Sequence, residues 1–210
     1  MSLLERAWEQ REQENYRTLL GNTGEGICPL AFELFKNQFG CESIDPRWLH
    51  YGVFKCSPNE KRNTWLYISS GMSNPWDAEE KEEYSGLGVE FVLETEKDEL
   101  WAIPLVQSLV AFNILLSVGK YGEKPLLQLW ARIPQPIKPN ISHLVLGMPV
   151  NLPGTFELVS GKVDLLQIVG ITNEEFIEAK KLGTPAICEL LKVNGVYPIT
   201  DPNRESAINA

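Results

Sequence analysis

Five carboxylates stand within seven residues: Asp77, Glu79, Glu80, Glu82 and Glu83. At that density they either hold a cation or present a negative field to a basic partner. A Ca²⁺ site needs spaced, convergent oxygens, usually with a glycine turn, and this run lacks both. It therefore reads as a solvated acidic loop, and it is the best candidate for an exposed, partner-facing surface. His50 and His143 stand far apart and in neither an HExxH nor an HxH pattern, so no metal site is predicted. The simpler reading of His50, in its aromatic surroundings, is a packed or surface histidine.

Other motifs that carry chemistry fail on context. Gly71-Met72-Ser73-Asn74-Pro75 lacks the second glycine of a nucleophile elbow and precedes a loop rather than a helix. Ser160-Gly161-Lys162 lacks the upstream glycine of a phosphate loop. Ser85-Gly86-Leu87-Gly88 is glycine-rich but opens a strand, whereas a phosphate cradle needs a helix N-terminus or a nest of N–H groups. A tight turn or bulge is the simpler reading there. No catalytic residue and no cofactor is predicted. A hydrolase built on Glu90 or His50 is the weakest reading, because no nucleophile–base pair accompanies them.

The elements around these residues follow from capping signals and periodicity. Ser2 with Glu5 forms a capping box that opens a helix, and Gly21 ends it. Leu4, Trp8, Tyr16 and Leu19 fall near one face. Residues Glu9 to Asn15 are polar all round, so this helix is expected to project partly into water. Strands are predicted over Trp48–Cys56, Thr64–Gly71, Leu87–Thr95, Thr155–Leu158 and Lys162–Val169, with a short one at His143–Leu146 inside a proline-rich connection. In the third of these Val89, Phe91 and Leu93 alternate with Glu90 and Glu94, the pattern of a half-buried strand. Glu90 then faces either a groove or, more simply, solvent. Trp65 and Tyr67 share a strand face, as either core or an aromatic anchor for a partner. Asp164 and Gln167 fall on opposite faces.

Trp101 to Val118 reads as a buried helix, since Pro104, Gln107, Ser108, Asn113 and Ser117 interrupt a stretch marginal in length for a bilayer. Thr172 with Glu175 opens another helix that Gly183 closes, and Thr184-Pro185 starts the last. Elements come in runs rather than strict alternation, so the fold class is α+β: a mixed, mainly antiparallel sheet with helices packed on it. The division expected is an N-terminal helix over 1–24, one domain over 25–200 and a loose tail over 201–210.

A chain of 210 residues buries roughly 70% of its unfolded surface without metal or disulfide. The four cysteines, Cys28, Cys41, Cys56 and Cys188, form no CxxC pair and read as reduced thiols of a cytoplasmic protein. The N-terminus has no apolar signal core. A net charge of -9 repels nucleic acid and anionic lipid, and no basic strip interleaves with aromatics. The expected partner is therefore another protein, with no nucleic acid and no membrane.

Three segments, in order, resemble the suppressor-of-fused family. They are Trp65-Leu66-Tyr67-Ile68-Ser69-Ser70-Gly71-Met72-Ser73, then Tyr84-Ser85-Gly86-Leu87-Gly88-Val89-Glu90-Phe91-Val92-Leu93, then Val163-Asp164-Leu165-Leu166-Gln167-Ile168-Val169-Gly170-Ile171-Thr172. The resemblance spans about residues 25 to 200 and is to the compact bacterial, single-domain type. It implies binding without catalysis. Bacterial members of this kind are often proposed as immunity proteins, so the resemblance implies neutralisation of a toxin, with a basic toxin domain as the fitting partner. The alternative it leaves open is a binding regulator of an endogenous cytoplasmic protein.

Overall fold

The computed structural model describes residues 1–24 and 26–209. Glu25, within the predicted loop Gly21 to Gly26, and Ala210, at the end of the predicted tail, lie outside them. Eight strands form one sheet: β1 (Ile27–Pro29), β2 (Gly52–Cys56), β3 (Trp65–Ser70), β4 (Tyr84–Thr95), β5 (Arg132–Ile133), β6 (His143–Gly147), β7 (Thr155–Leu158) and β8 (Gly161–Ile171). Their order is β1-β2-β3-β4-β8-β6-β5, and β7 also pairs with β8. All pairings are antiparallel except the central one, β4 with β8. The fold is α+β with a mixed, mainly antiparallel sheet, as the runs of strand and helix signals imply.

Both faces of the sheet are covered. On one face Tyr67, Phe91, Leu93, Leu144, Leu146 and Ile168 pack against α4 (Ala102–Ser117) and α3 (Phe32–Phe39). The helix α4 is apolar nearly all round, which befits an element buried on most sides. No helix among the described residues is long and apolar enough to cross a membrane. The other face is shared. Phe54, Leu66, Ile68, Val92 and Leu165 meet Ala7, Tyr16 and Leu20 of the N-terminal helical run. That run is α1 (Leu3–Glu9), a π-helical turn (Gln10–Asn15) and α2 (Tyr16–Leu20). Val145, Val169 and Ile171 meet α5 (Asn173–Leu182) and α6 (Thr184–Val193).

Several expectations are corrected here. Glu90 and Glu94 do not face water or a groove: both are wholly buried, because the second sheet face is covered too. The N-terminal helix is partly in water, as its polar stretch implies, with Glu9, Gln13 and Glu14 exposed, but Arg11 in the same stretch turns inward and is 1% exposed. Trp48 to His50 is not strand but a 3₁₀ turn over Pro46–His50, started by Asp45, whose side chain accepts the Arg47 N–H, with Pro46 in its first turn. The segment after Asp201, read from sequence as loose, is gripped at Arg204. Both guanidinium Nη atoms donate to Glu175 at 2.6 Å, and the Ala207 N–H adds a third bond. Glu175 also closes the capping box of α5 with Thr172.

Leu93 lies wholly in the α4-side core and Leu100 is 96% exposed. Leu93→Ala is expected to cost about 2–5 kcal/mol in urea unfolding, and Leu100→Ala less than about 0.5 kcal/mol. Equal effects would contradict the assigned packing.

Candidate functional site

The chemistry of this chain gathers around Glu90. Burial without hydrogen bonds is costly for a carboxylate, and Glu90 is fully partnered. One oxygen accepts from the Gly71 and Ser73 N–H groups at 3.0 Å each and from the Ser73 hydroxyl at 2.7 Å. The other accepts from the Ser69 hydroxyl, which in turn accepts the Phe91 N–H at 2.8 Å. The turn Gly71 to Pro75 is thereby folded onto β4. Two further bonds hold it there: the Leu87 N–H donates to the Met72 carbonyl at 2.7 Å, and the Ser85 hydroxyl donates to the Ser73 carbonyl at 2.6 Å. Two of the sequence motifs are thus one spatial unit. Gly71 and Gly86 are required by it. Gly71 has φ of 125° with Tyr51 atoms 2.9 Å from where a Cβ would be; Gly86 has φ of 58° with the Asn74 carbonyl oxygen 2.5 Å away.

A second layer of bonds comes from the N-terminal run. Arg11 donates to the Ser70 hydroxyl (2.9 Å), the Ser73 hydroxyl (3.1 Å) and the Asn74 side-chain oxygen (2.7 Å). Ser73 therefore accepts from a cation and donates to Glu90. Ser70 likewise accepts from Arg11 and donates to Glu12 at 2.8 Å. The Tyr16 hydroxyl donates to the Ser69 carbonyl at 2.6 Å. Arg11 and Tyr16 are five residues apart, and the Tyr16 N–H bonds to the Arg11 carbonyl, the π-helical pattern. An α-helix would turn such residues about 140° apart; the π-turn lets both reach the sheet. Gln10 and Asn15, also five apart, cap the outer edge of β7 by bonding to the Val159 N–H and the Glu157 carbonyl.

Beyond this anchor the β4–β8 register shifts between Tyr84 and Val89, so Ser85-Gly86-Leu87-Gly88 is a bulge. Beside it opens a cleft of about 570 Å³, lined by Leu87, Val89, Leu127, Leu129, Leu165 and Leu166, with Tyr84, Lys162 and Asp164 at its polar side. Lys162 and Asp164 are paired at 3.0 Å. Across Leu87 lies a smaller hollow that includes Tyr51, Trp76, Asp77 and Glu82. Asp77 and Glu82 line it, and Glu79, Glu80 and Glu83 are exposed on the same loop. Their loop is tied down, by Arg47 to Asp77 at 3.0 Å, by the Glu82 N–H to the Ser160 carbonyl, and by the Lys162 N–H to the Glu83 carbonyl. The structure thus brings the five acids together at one surface. It separates them from the other three candidates. Tyr67 is wholly buried, its hydroxyl accepting the Glu99 N–H; Glu90 lies beneath the surface; Trp65 is half-buried under the Lys55 ammonium. Arg11 was missed in sequence because its stretch looks uniformly polar.

Among the described residues no group of three or more His, Cys, Asp and Glu is placed to hold a metal. His50 packs edge-on to Trp8 and tilts against Trp76. These features define a sheet domain covered on both faces, with a buried polar anchor beneath an acidic, cleft-bearing surface. The chain belongs to the suppressor of fused protein family, whose model matches residues 47–205. It is similar to a chain of the Sufu–Fu complex (19% identity, TM-score 0.67, covering 99% of this chain and 93% of that one). It is similar also to a putative suppressor of fused homologue from Neisseria gonorrhoeae (16%, TM-score 0.64, 95% and 96%). Drosophila Suppressor of Fused matches at 18% identity and TM-score 0.58 over 76% of this chain, which spans 43% of that protein. A search of curated proteins returns no match.

Arg11→Ala leaves three buried acceptors without their donor. It is expected to cost about 3 kcal/mol in urea unfolding, with Arg11→Lys recovering only part because a point ammonium cannot span three acceptors; a loss below about 1 kcal/mol for Arg11→Ala would contradict the anchor. Alkali tests the burial differently. Burial pushes the Cys56 and Cys188 thiols up to about 11 from 9.0, the Tyr51 phenol up to about 12 from 10.0, and the Tyr16 phenol well above its usual range. Raised folded values mean stability is whole below about pH 9 and is lost as pH rises through the window from about 9 to 12. Thermal unfolding at about pH 10.5 should therefore occur below its midpoint at about pH 8, and equal midpoints would contradict these burials.

Proposed function

We propose that this domain acts without catalysis, by binding another protein through the acidic, cleft-bearing surface around Leu87. The observation that carries this reading is the juxtaposition of five exposed carboxylates, on an ordered loop, with a largely apolar cleft of about 570 Å³. An apolar centre with a charged rim is the anatomy of a protein interface, and the charge selects a basic partner and speeds its capture. The Sufu–Fu structure is itself a complex, which supports protein binding as the mode. Within that mode the reading is an immunity protein that neutralises a basic toxin in the cytoplasm. Glu90, the carboxylate a hydrolase would have needed, is occupied by four donors in the interior.

The test is affinity capture from the native cell lysate, with the wild-type chain and a variant carrying Asp77→Asn, Glu79→Gln, Glu80→Gln, Glu82→Gln and Glu83→Gln. The reading predicts a stoichiometric, basic toxin domain on the wild type and at least about tenfold less on the variant. Capture of a housekeeping protein would replace the immunity role with regulation of an endogenous partner. Undiminished capture by the variant would overturn the assigned surface.

A further inference from the structure

The acidic surface does not end at its loop. Trp76, at the start of the loop, donates its indole N–H to the Tyr51 hydroxyl at 2.8 Å and is thereby fixed. From it a row of rings crosses the surface. His50 lies 6.0 Å from Trp76, and Trp8 of the N-terminal helix lies 6.3 Å from His50. Trp8 and His50 are both exposed. The indole of Trp8 sits in a shallow depression whose other lining residues are Glu5, Glu9, Glu12 and Gln13. Three carboxylates and one π-face therefore share a hollow: Glu5 keeps one oxygen free of the Ser2 capping box, Glu12 keeps one free of Ser70 and Arg11, and Glu9 stands exposed beside Trp8.

That combination has a chemical preference. A guanidinium stacks on an indole and bonds carboxylates in its own plane, whereas an ammonium can do only the second well. At the far end of the strip the chain's own Arg47 guanidinium lies over the Trp76 ring, 5.9 Å from its centroid, and pairs with Asp45 and Asp77. We infer that the Trp8–His50 end of the strip is an extension of the partner surface that takes arginine side chains from a basic partner in the same manner. This rests on the binding reading above and adds a second contact area on the N-terminal helix. It also gives the polar anchor a further consequence. The π-turn that seats Arg11 in the sheet also fixes α1, and hence Trp8, relative to the acidic loop.

The probe is labelled nona-arginine, titrated into the full chain and followed by fluorescence anisotropy. Trp8→Ala is expected to weaken binding about three- to tenfold, and Trp8→Phe to recover part of the loss. Nona-lysine should bind more weakly and respond less to Trp8→Ala. Should Trp8→Ala melt early, Glu9→Gln, an exposed change, serves in its place, with about a twofold loss expected. The five-residue loop variant is titrated in parallel. Loss with the loop variant but none with Trp8→Ala or Glu9→Gln would overturn the strip and leave the acidic loop standing. An equal Trp8 effect on both peptides would overturn the arginine assignment, and no binding of nona-arginine would overturn the strip altogether.

Discussion

A carboxylate removed from water must gather donors or lose its charge, and much of this structure is arranged around how Glu90 gathers its own. Its donors come from a turn of the neighbouring strand, so that turn has to fold back over β4. Glycines at 71 and 86 let the two backbones approach. Ser69, Ser70 and Ser73 are acceptors and donors at once, passing hydrogen bonds from Arg11 and the Phe91 N–H towards Glu90 and Glu12. Such a network is worth having only when each member is satisfied. The N-terminal run, which supplies Arg11 and Tyr16, is therefore part of the fold and not an appendage to it.

The surface follows from the same constraint. Because Gly71 to Pro75 is pinned to β4, the chain leaves the anchor at Trp76, and the acidic residues emerge as an ordered loop. Because Leu87 bonds back to Met72 and not along the ladder, the β4–β8 pairing opens at the bulge and leaves the apolar cleft beside it. Interior polar chemistry thus shapes an exterior that suits recognition. The histidines and Glu90, the groups from which an enzyme would first be sought, are taken up by packing and hydrogen bonds.

Much of this was legible in the chain. The capping boxes at Ser2–Glu5 and Thr172–Glu175 form as their spacing requires, Gly21 and Gly183 end their helices, and α4 falls within one residue of its predicted bounds at each end. The strands β1 and β5 were not, because three and two residues carry no periodicity; α3 went unread although Phe32, Phe35 and Phe39 recur at helical spacing, because eight residues without a side-chain cap make a weak helix signal. Glu90 misled for a physical reason. Alternation tells which side of a strand a residue faces but not whether that side is covered, and the cover here comes from a helix distant in sequence. Arg11 misled because helical periodicity assumes 3.6 residues per turn, and the π-turn breaks that assumption. The acidic loop was legible as a surface; its setting beside the cleft depends on long-range pairing that no local pattern records.

The most direct measurement of the central claim is residue-resolved hydrogen exchange at the amides of Gly71, Ser73 and Leu87, in the wild type and in Glu90→Gln. If Glu90 holds the turn on β4, these amides exchange in the wild type nearly as slowly as the core amides of β4. In Glu90→Gln, where an amide group faces donors with a donor of its own, they lose that protection while β8 amides such as Ile168 keep theirs. Fast exchange at Gly71 and Ser73 in the wild type, or protection unchanged by the substitution, would contradict the claim that a buried carboxylate organises this domain.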